Sequence, residues 1–289
     1  MKKRIQFLMV ILLVITYSCN NDDDAITTAD LTLNLSGLDD LGNNFVYEGW
    51  IIVNGSPIST GTFSSVTFPQ SFTVDIDDLA AASKFVLSIE PTVDPSPDPS
   101  ATKILAGDFT GNSASVTSNG VVGDFSSSTG TYILATPTDT DMTNEESGVW
   151  FLDNSSGSAV AGLNNLPALT GWKYEGWAVM NGMPISTGTF SSGNAADDNA
   201  ASSPYKGSAG NGPGYPGEDF LQNAPSGLTF PTDLKGTTIV ISVEPDPDNS
   251  PSPFTFKPLA HMVPTNAANH TAISMGPGPL SFLSGTVTR

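Results

Sequence analysis

The chain has little of several things that commonly carry function. It contains one cysteine in 289 residues, which excludes a disulfide within the chain. Ten Lys and Arg residues stand against 29 Asp and Glu residues, and the formal net charge is −19. Nucleic-acid binding requires clustered cations that neutralise phosphates, so we expect no nucleic acid as a partner. We expect the acidic excess to serve solubility or cation binding outside the cell.

Common enzyme motifs are missing as well. The sequence has no GxSxG, HExxH or P-loop motif, and no GxGxxG after a strand pattern. His261 and His270 lie nine residues apart without a cysteine nearby, and we assign them surface or packing roles. We predict a protein without enzymatic activity or cofactor. The alternative is a glycan hydrolase with paired carboxylates, drawn from Glu48, Glu90, Glu175 and Glu244.

Long apolar runs are absent except for a short one at the N-terminus. Residues 1–18 have three basic residues, then apolar Phe7 to Ile15, and end at Ser18. This pattern is typical of a secretory signal peptide and too short for a spanning helix. Cys19 follows directly and resembles the lipobox cysteine of bacterial lipoproteins, which implies a lipid anchor on Cys19, with palmitate among its acyl chains. The alternative is an ordinary signal peptide with an incidental cysteine.

Residues 19–28 form an acidic tether behind that cysteine. Asn20 to Asp24 reads NNDDD and resembles the tether of surface-exported lipoproteins in Bacteroidota. The resemblance implies an outer-membrane lipoprotein whose domains face outward, with a periplasm-facing protein as the alternative. Without its signal peptide the chain keeps seven basic and 29 acidic groups, a net charge of −22.

One stretch occurs twice. Tyr47 to Phe63 reads YEGWIIVNGSPISTGTF and Tyr174 to Phe190 reads YEGWAVMNGMPISTGTF, with 13 of 17 positions identical at an offset of 127. A repeat of this kind indicates two copies of one structural unit. We predict a first domain over 29–138, a polar linker over 139–146 and a second domain over 147–289.

Each duplicated stretch has the pattern of a β-hairpin. Asn54-Gly55 and Asn181-Gly182 separate two extended runs, and Asn-Gly favours the type I′ turn. A two-residue turn places Val53 opposite Ser56 and Ile52 opposite Pro57. Strict alternation then puts one set of side chains on one face, namely Val46, Glu48, Trp50 and Ile52 with Pro57, Ser59, Gly61 and Phe63.

The proline in each second strand predicts a sheet edge. Proline lacks the N–H that an inner strand needs on both sides. Pro57 and Pro184 therefore indicate that the outer side of this strand has no neighbour in the sheet. We expect a partner strand to bind there.

The remaining pattern indicates an all-β chain. Gly, Pro, Ser and Thr are abundant, and short alternating runs such as Leu31, Leu33 and Leu35 are separated by turn residues. Residues 129–134 and 284–289 correspond as closing strands. With six or seven strands in each repeat, we predict two tandem homologous β-sandwich domains of the Ig-like type.

The second repeat carries an insertion over 191–227. A loop of this length inside a compact domain is usually functional or disordered. Its aromatic and acidic residues are candidates for contact with a sugar or peptide, and its acids for Ca²⁺ ligation; an ordered loop without ligand is the alternative. The candidates are Asp197, Asp198, Tyr205, Tyr215, Glu218, Asp219 and Phe220.

A set of motif positions resembles the extracytoplasmic C-terminal domain of anti-sigma-K factors. The resemblance implies a β domain that serves as a sensor or interaction module. The chain lacks the cytoplasmic helical segment and spanning helix of those factors, so sigma-factor binding does not follow. The positions are Tyr47, Trp50, Gly55, Pro57, Gly61, Phe63, Glu90 and Pro91, and again Tyr174, Trp177, Gly182, Pro184, Gly188, Phe190, Glu244 and Pro245.

We therefore predict a lipid-anchored cell-envelope protein that binds a protein or glycan ligand. The first alternative is an extracytoplasmic sensor or regulatory module linked to a sigma/anti-sigma system. The glycan hydrolase described above is the second.

Overall fold

The computed structural model of the protein describes residues 27–248 and 250–289. The predicted signal peptide, Cys19 and most of the predicted tether lie outside these residues. Within them almost all regular structure is β-strand, which confirms the all-β prediction. No helix in the described ranges is long and apolar enough to cross a membrane.

The first sheet has eight antiparallel strands. They are β1 (Thr28–Ser36), β2 (Phe45–Val53), β3 (Ser56–Phe63), β4 (Gln70–Asp75), β5 (Lys84–Pro91), β6 (Lys103–Thr110), β7 (Ser113–Thr117) and β18 (Ser284–Thr288). Their order across the sheet is β3-β2-β5-β6-β7-β18-β1-β4. A short helix, α1 (Ile76–Ala81), follows β4 because the Asp75 side chain caps it by accepting from the N–H groups of Asp77 and Asp78.

The second sheet also has eight antiparallel strands. They are β8 (Gly130–Leu134), β9 (Gly148–Trp150), β12 (Trp172–Met180), β13 (Met183–Phe190), β14 (Gly217–Asp219), β15 (Thr238–Pro245), β16 (Leu259–Met262) and β17 (Ile273–Pro277). Their order is β13-β12-β15-β16-β17-β8-β9-β14. Strands β10 (Leu152–Asp153) and β11 (Val160–Ala161) form a separate pair, and a 3₁₀ turn spans Glu145–Ser147.

The two sheets exchange their closing strands. Strand β8 lies in the first sequence repeat but pairs with β17 and β9 of the second sheet. Strand β18, its counterpart at the C-terminus, pairs with β7 and β1 of the first sheet. The sheets therefore differ from the predicted ranges 29–138 and 147–289 at these two strands. Consecutive strands tend to pair, and β8 pairs with β9, the strand that follows it; β18 then fills the place between β7 and β1.

Each sheet folds over into a sandwich. The edge strands β3 and β4 approach each other, and the rings of Phe63 and Phe72 lie 5.6 Å apart. Leu31, Leu33 and Leu35 of β1 all face the core, as their alternation predicts. The prediction of two homologous sandwich domains is confirmed.

The hairpin register is confirmed near the turn and wrong beyond it. Val53 pairs with Ser56 and Ile52 with Pro57, and Asn54 has the positive φ of a type I′ turn, 51°. A β-bulge then inserts Thr60, so Gly61 pairs with Gly49 and Phe63 with Tyr47. Gly61 and Phe63 therefore lie on the face opposite Trp50. The second hairpin has the same bulge between Gly176 and Trp177.

Candidate functional site

The same polar network occurs at the β2–β5 contact and again at β12–β15. The Trp50 indole N–H donates to Ser88 Oγ at 2.8 Å, and Ser88 Oγ donates to Glu90. The counterparts are the Trp177 N–H to Ser242 Oγ at 2.7 Å and Ser242 Oγ to Glu244. In both repeats a tryptophan thus orients a serine, and the serine orients a buried carboxylate.

A second glutamate stands beside each of these networks. Glu48 accepts from Ser59 of the neighbouring strand, and Glu175 accepts from Ser186 in the same way. The backbone N–H of Phe254 donates to Glu244 Oε1 at 2.9 Å, so the proline-rich turn after β15 folds back over this carboxylate. The four glutamates of the sequence motif thus form two pairs, Glu48 with Glu90 and Glu175 with Glu244.

Three carboxylates meet in the second repeat. Oxygen atoms of Glu175, Glu244 and Asp248 all lie within 4.8 Å of one another. Burial raises the pKa of Glu175 to about 8 against the hydrogen bond from Ser186, and the charges of Glu244 and Asp248 raise it further. Burial likewise raises the pKa of Glu244 to about 7. Among the described residues, this is the one group of three or more potential metal ligands this close together.

Asp248 is the member of this group that the sequence analysis missed. A signal existed, because Glu-Pro-x-x-Asp occurs in both repeats, at Glu90 to Asp94 and at Glu244 to Asp248. The alternation of side chains in β15 ends at Pro245, so it gives no position for Asp248. The path of the following turn brings Asp248 back to the two glutamates.

The acidic candidates of the insertion serve its folding. Asp219 accepts from the Thr138 backbone N–H at 2.8 Å and from the Trp150 indole N–H at 2.7 Å. Asp197 accepts from the Gly217 N–H at 3.1 Å, and Ser203 donates to Glu218. In the described part of the chain, the four acids of the insertion do not form a group close enough to share one ion.

The aromatic candidates of the insertion are also packed. Phe220 is fully buried, and its ring lies 6.0 Å from Tyr205 and 5.5 Å from Phe230. Tyr215 is half-buried, lies against the small apolar cluster around Trp150, and donates to the Ala159 carbonyl at 3.1 Å. These side chains pack the insertion onto the second sheet, to which it also contributes strand β14.

Asp198 closes one of the two matched sheet edges. Its backbone N–H donates to the Thr189 carbonyl of β13 at 2.8 Å. Its carboxylate accepts from Thr189 Oγ1 and from Lys173, each at 2.8 Å. Thr62 is the counterpart of Thr189 on β3. Within the described ranges no strand other than β2 pairs with β3, so the edge of the first sheet is open where that of the second is covered.

Each histidine lies close to one polar side chain. His261 Nδ1 lies 2.9 Å from the Tyr132 hydroxyl. His270 Nε2 lies 3.1 Å from Glu145 Oε2 and is half-exposed. Both contacts fit the packing and surface roles assigned from the sequence.

Comparison with protein-family models, curated proteins and solved structures finds no match for the chain. The resemblance to the anti-sigma-K C-terminal domain therefore stays a prediction.

Proposed function

We propose that this chain is a non-enzymatic, lipid-anchored protein of the bacterial cell envelope that binds an extended segment of a protein ligand along β3. The bound segment would add a strand to the open edge of the first sheet. Main-chain hydrogen bonds supply the affinity in this mode of recognition, and side-chain positions on alternate residues supply the specificity.

The observation that carries the proposal is the difference between the two edges. Opposite residues in an antiparallel hairpin alternate between hydrogen-bonded and non-hydrogen-bonded pairs. Ile52 and Pro57 form a non-hydrogen-bonded pair, so the backbone of Pro57 faces away from β2. Beyond the bulge, the Thr189 carbonyl faces outward and is used by Asp198. Thr62 corresponds to Thr189, so its carbonyl faces outward as well. Among the described residues no backbone N–H donates to it as Asp198 does to Thr189. Six of the eight β3 residues, Ser56 to Thr62 except Thr60, are exposed or half-exposed.

The sequence supports attachment to the outer membrane. Cys19 precedes the first residue of β1 by nine positions, a length that spans at most about 30 Å when extended. A lipid on Cys19 would hold the first sheet near the membrane surface. A palmitate analogue should label the wild-type protein and fail to label Cys19→Ser.

The alternatives have weaker support. A hydrolase needs carboxylates that reach a substrate, whereas Glu175 and Glu244 are 3% and 0% exposed. A glycan site on the insertion needs free aromatic faces, and Tyr205 and Phe220 pack against each other. A regulatory module of a sigma/anti-sigma system differs from our proposal in the identity of the partner.

Site-specific photo-crosslinking in native envelopes tests the proposal. A photoreactive amino acid is placed at Thr62, and at Thr189 as the matched control on the covered edge. We expect a protein adduct at Thr62 and none at Thr189. Mass analysis identifies the partner, and an anti-sigma factor would select the regulatory alternative. Absence of any adduct at Thr62, or equal labelling at both positions, would contradict binding along β3.

A further inference from the structure

Two buried carboxylates of the second repeat each have one oxygen without a partner. Glu175 and Glu244 are 3% and 0% exposed. The Oε2 atom of each accepts no hydrogen bond from any described residue. Burying an ionised carboxylate without compensation is costly. A native fold that places two such groups together therefore points to a bound positive charge.

The other oxygen of each glutamate is held in place. Ser186 donates to Glu175 Oε1, and Ser242 and the Phe254 N–H donate to Glu244 Oε1. These contacts leave each Oε2 atom without a partner, and an oxygen of each glutamate lies within 4.8 Å of an oxygen of Asp248. Asp248 is set by its own turn, in which Oδ1 accepts from the Ser250 N–H at 3.0 Å. Fixing ligands through outer hydrogen bonds is the usual construction of a metal site.

The lysines nearest the two glutamates do not pair with their free oxygens. Lys257 is near enough to act on the charge of Glu244. Its ammonium group, however, donates to the Phe254 carbonyl at 2.7 Å, and neither Oε2 atom has it as a hydrogen-bond partner. Lys173 lies 3.9 Å from Asp246 and bonds to Asp198. Neither lysine therefore bonds to the Oε2 atom of Glu175 or of Glu244.

The ligand atoms select the class of ion. All three are carboxylate oxygens, without the nitrogen or sulfur that zinc sites use. Two oxygens on one Ca²⁺ are at most about 5 Å apart, twice the Ca–O distance, and the three here meet that limit. Mg²⁺ dehydrates reluctantly and is usually bound through only one or two carboxylates, so a set of three favours Ca²⁺. Asp248 is exposed, which leaves one side of the ion to water.

We propose that Glu175, Glu244 and Asp248 bind one Ca²⁺ ion. The ion would join β12 and β15 to the proline-rich turn at 246–253. This inference is independent of ligand binding along β3, which lies in the first sheet.

The first repeat supplies the matched control. Glu48, Glu90 and Asp94 occupy the corresponding positions, and Ser59 and Ser88 hold the glutamates in the same way. The three nevertheless do not form a group within ion-sharing distance in the described structure, and neither glutamate has a buried oxygen without a partner there. The first repeat should therefore bind Ca²⁺ more weakly.

Calorimetry on the full chain in detergent, stripped with EDTA, tests the site. We expect one equivalent of Ca²⁺ to bind with a Kd of about 10⁻⁴ to 10⁻³ M, as in extracellular modules. Glu175→Gln and Asp248→Asn should weaken binding about tenfold or more. Glu48→Gln and Asp94→Asn should leave the affinity of the second-repeat site for Ca²⁺ unchanged.

Thermal melting shows whether Glu175 binds the Ca²⁺ ion or only supports the fold. Glu175→Gln keeps the shape of the side chain and cannot ionise, so its Tm without calcium should equal or exceed that of the wild type, while the rise in Tm on adding CaCl₂ should disappear. Three results would overturn the proposal: no saturable Ca²⁺ binding to the wild type, equal binding to Glu175→Gln and Asp248→Asn, or Mg²⁺ binding as tight as Ca²⁺ binding.

Discussion

At the scale of single residues, position decides what each carboxylate of this acidic chain does. Exposed aspartates cap turns, and the hydrogen bonds that Asp124 accepts from Ser126 hold the pKa of Asp124 below its usual range. The buried carboxylates of Glu175, Glu218 and Asp219 have the opposite shift, a raised pKa. Burial raises the pKa of Glu218 to about 7, partly offset by the Ser203 hydroxyl and the Asp219 N–H that donate to it. The two classes give opposite dependences of stability on pH.

Glu218→Gln should remove part of the loss of stability at neutral pH. A raised pKa means that the folded state binds a proton more tightly than the unfolded state, so stability falls as pH rises from about 4.5 through about 7. This fall is worth up to about 3 kcal/mol for a shift of this size. Urea unfolding at pH 5 and pH 8 should show a smaller difference for the variant.

Asp141→Asn provides the comparison for that measurement. Asp141 is exposed, and the hydrogen bonds from Thr143 lower its pKa. The variant should keep the wild-type loss of stability between pH 5 and pH 8, because the Asp141 carboxyl is ionised throughout. An unchanged pH dependence in Glu218→Gln would show that Glu218 is ionised in the folded state.

At the scale of elements, the duplicated stretch shows how far a sequence pattern reaches. Asn54-Gly55 predicts the turn and the first two pairs, since turn type and register are linked by local geometry. The bulge could not be predicted from the alternation of side chains, because an inserted residue breaks that alternation without leaving a pattern in the sequence. It explains Gly61, whose φ of 116° is unfavourable for other residues.

The candidate site was predictable to a similar extent. Its four glutamates were found because they recur in both repeats at strand positions. Their partnership with Asp248 depends on the path of a proline-rich turn, for which the sequence provides no register. An ordered insertion was one of two interpretations of the sequence, but Gly-rich composition alone does not reveal which of its residues become buried.

Gly188→Ala should be more destabilising than Gly61→Ala. Both glycines have a φ near 115°, at 113° and 116°, so a Cβ atom costs about 1 to 2 kcal/mol at either position. At Gly188 the new Cβ would also lie 2.0 Å from Asn199 Oδ1 and 2.8 Å from Asp197 Cγ, whereas at Gly61 its nearest neighbour is Phe72 at 3.3 Å. Urea unfolding should give a loss of about 3 kcal/mol or more for Gly188→Ala.

Equal losses for the two alanine variants would mean that the insertion does not hold the β13 edge closed. The comparison is internal, since backbone conformation and strand position are the same in both repeats. The difference between the variants therefore measures the packing of the insertion against β13.

At the scale of the whole molecule, the exchange of β8 and β18 joins the two domains. The first sheet contains both the first and the last strand of the described chain, and Leu33 pairs with Val287. The sequence could not reveal this, because β8 and β18 are homologous and either fits either sheet. The repeats predicted two like domains correctly, and the choice of sheet depends on which strands are neighbours along the chain.

Hydrogen exchange on two matched variants tests this arrangement. Val287 in β18 and Leu134 in β8 are each fully buried, and an aspartate at either position costs about 3 kcal/mol or more. We expect Val287→Asp to reduce amide protection most in β1 and β7, although the mutation lies in the second sequence repeat. Leu134→Asp should instead reduce protection most in β9 and β17.

Loss of protection in β16 and β17 by Val287→Asp would contradict the exchange, because it would place the last strand in the sheet of its own repeat. The paired design excludes a general loss of stability as the cause, since such a loss would affect the same amides in both variants. With the exchange, the first sheet also lacks an inner strand until β18 is synthesised. Its folding therefore depends on contacts between residues far apart in the sequence, which form slowly.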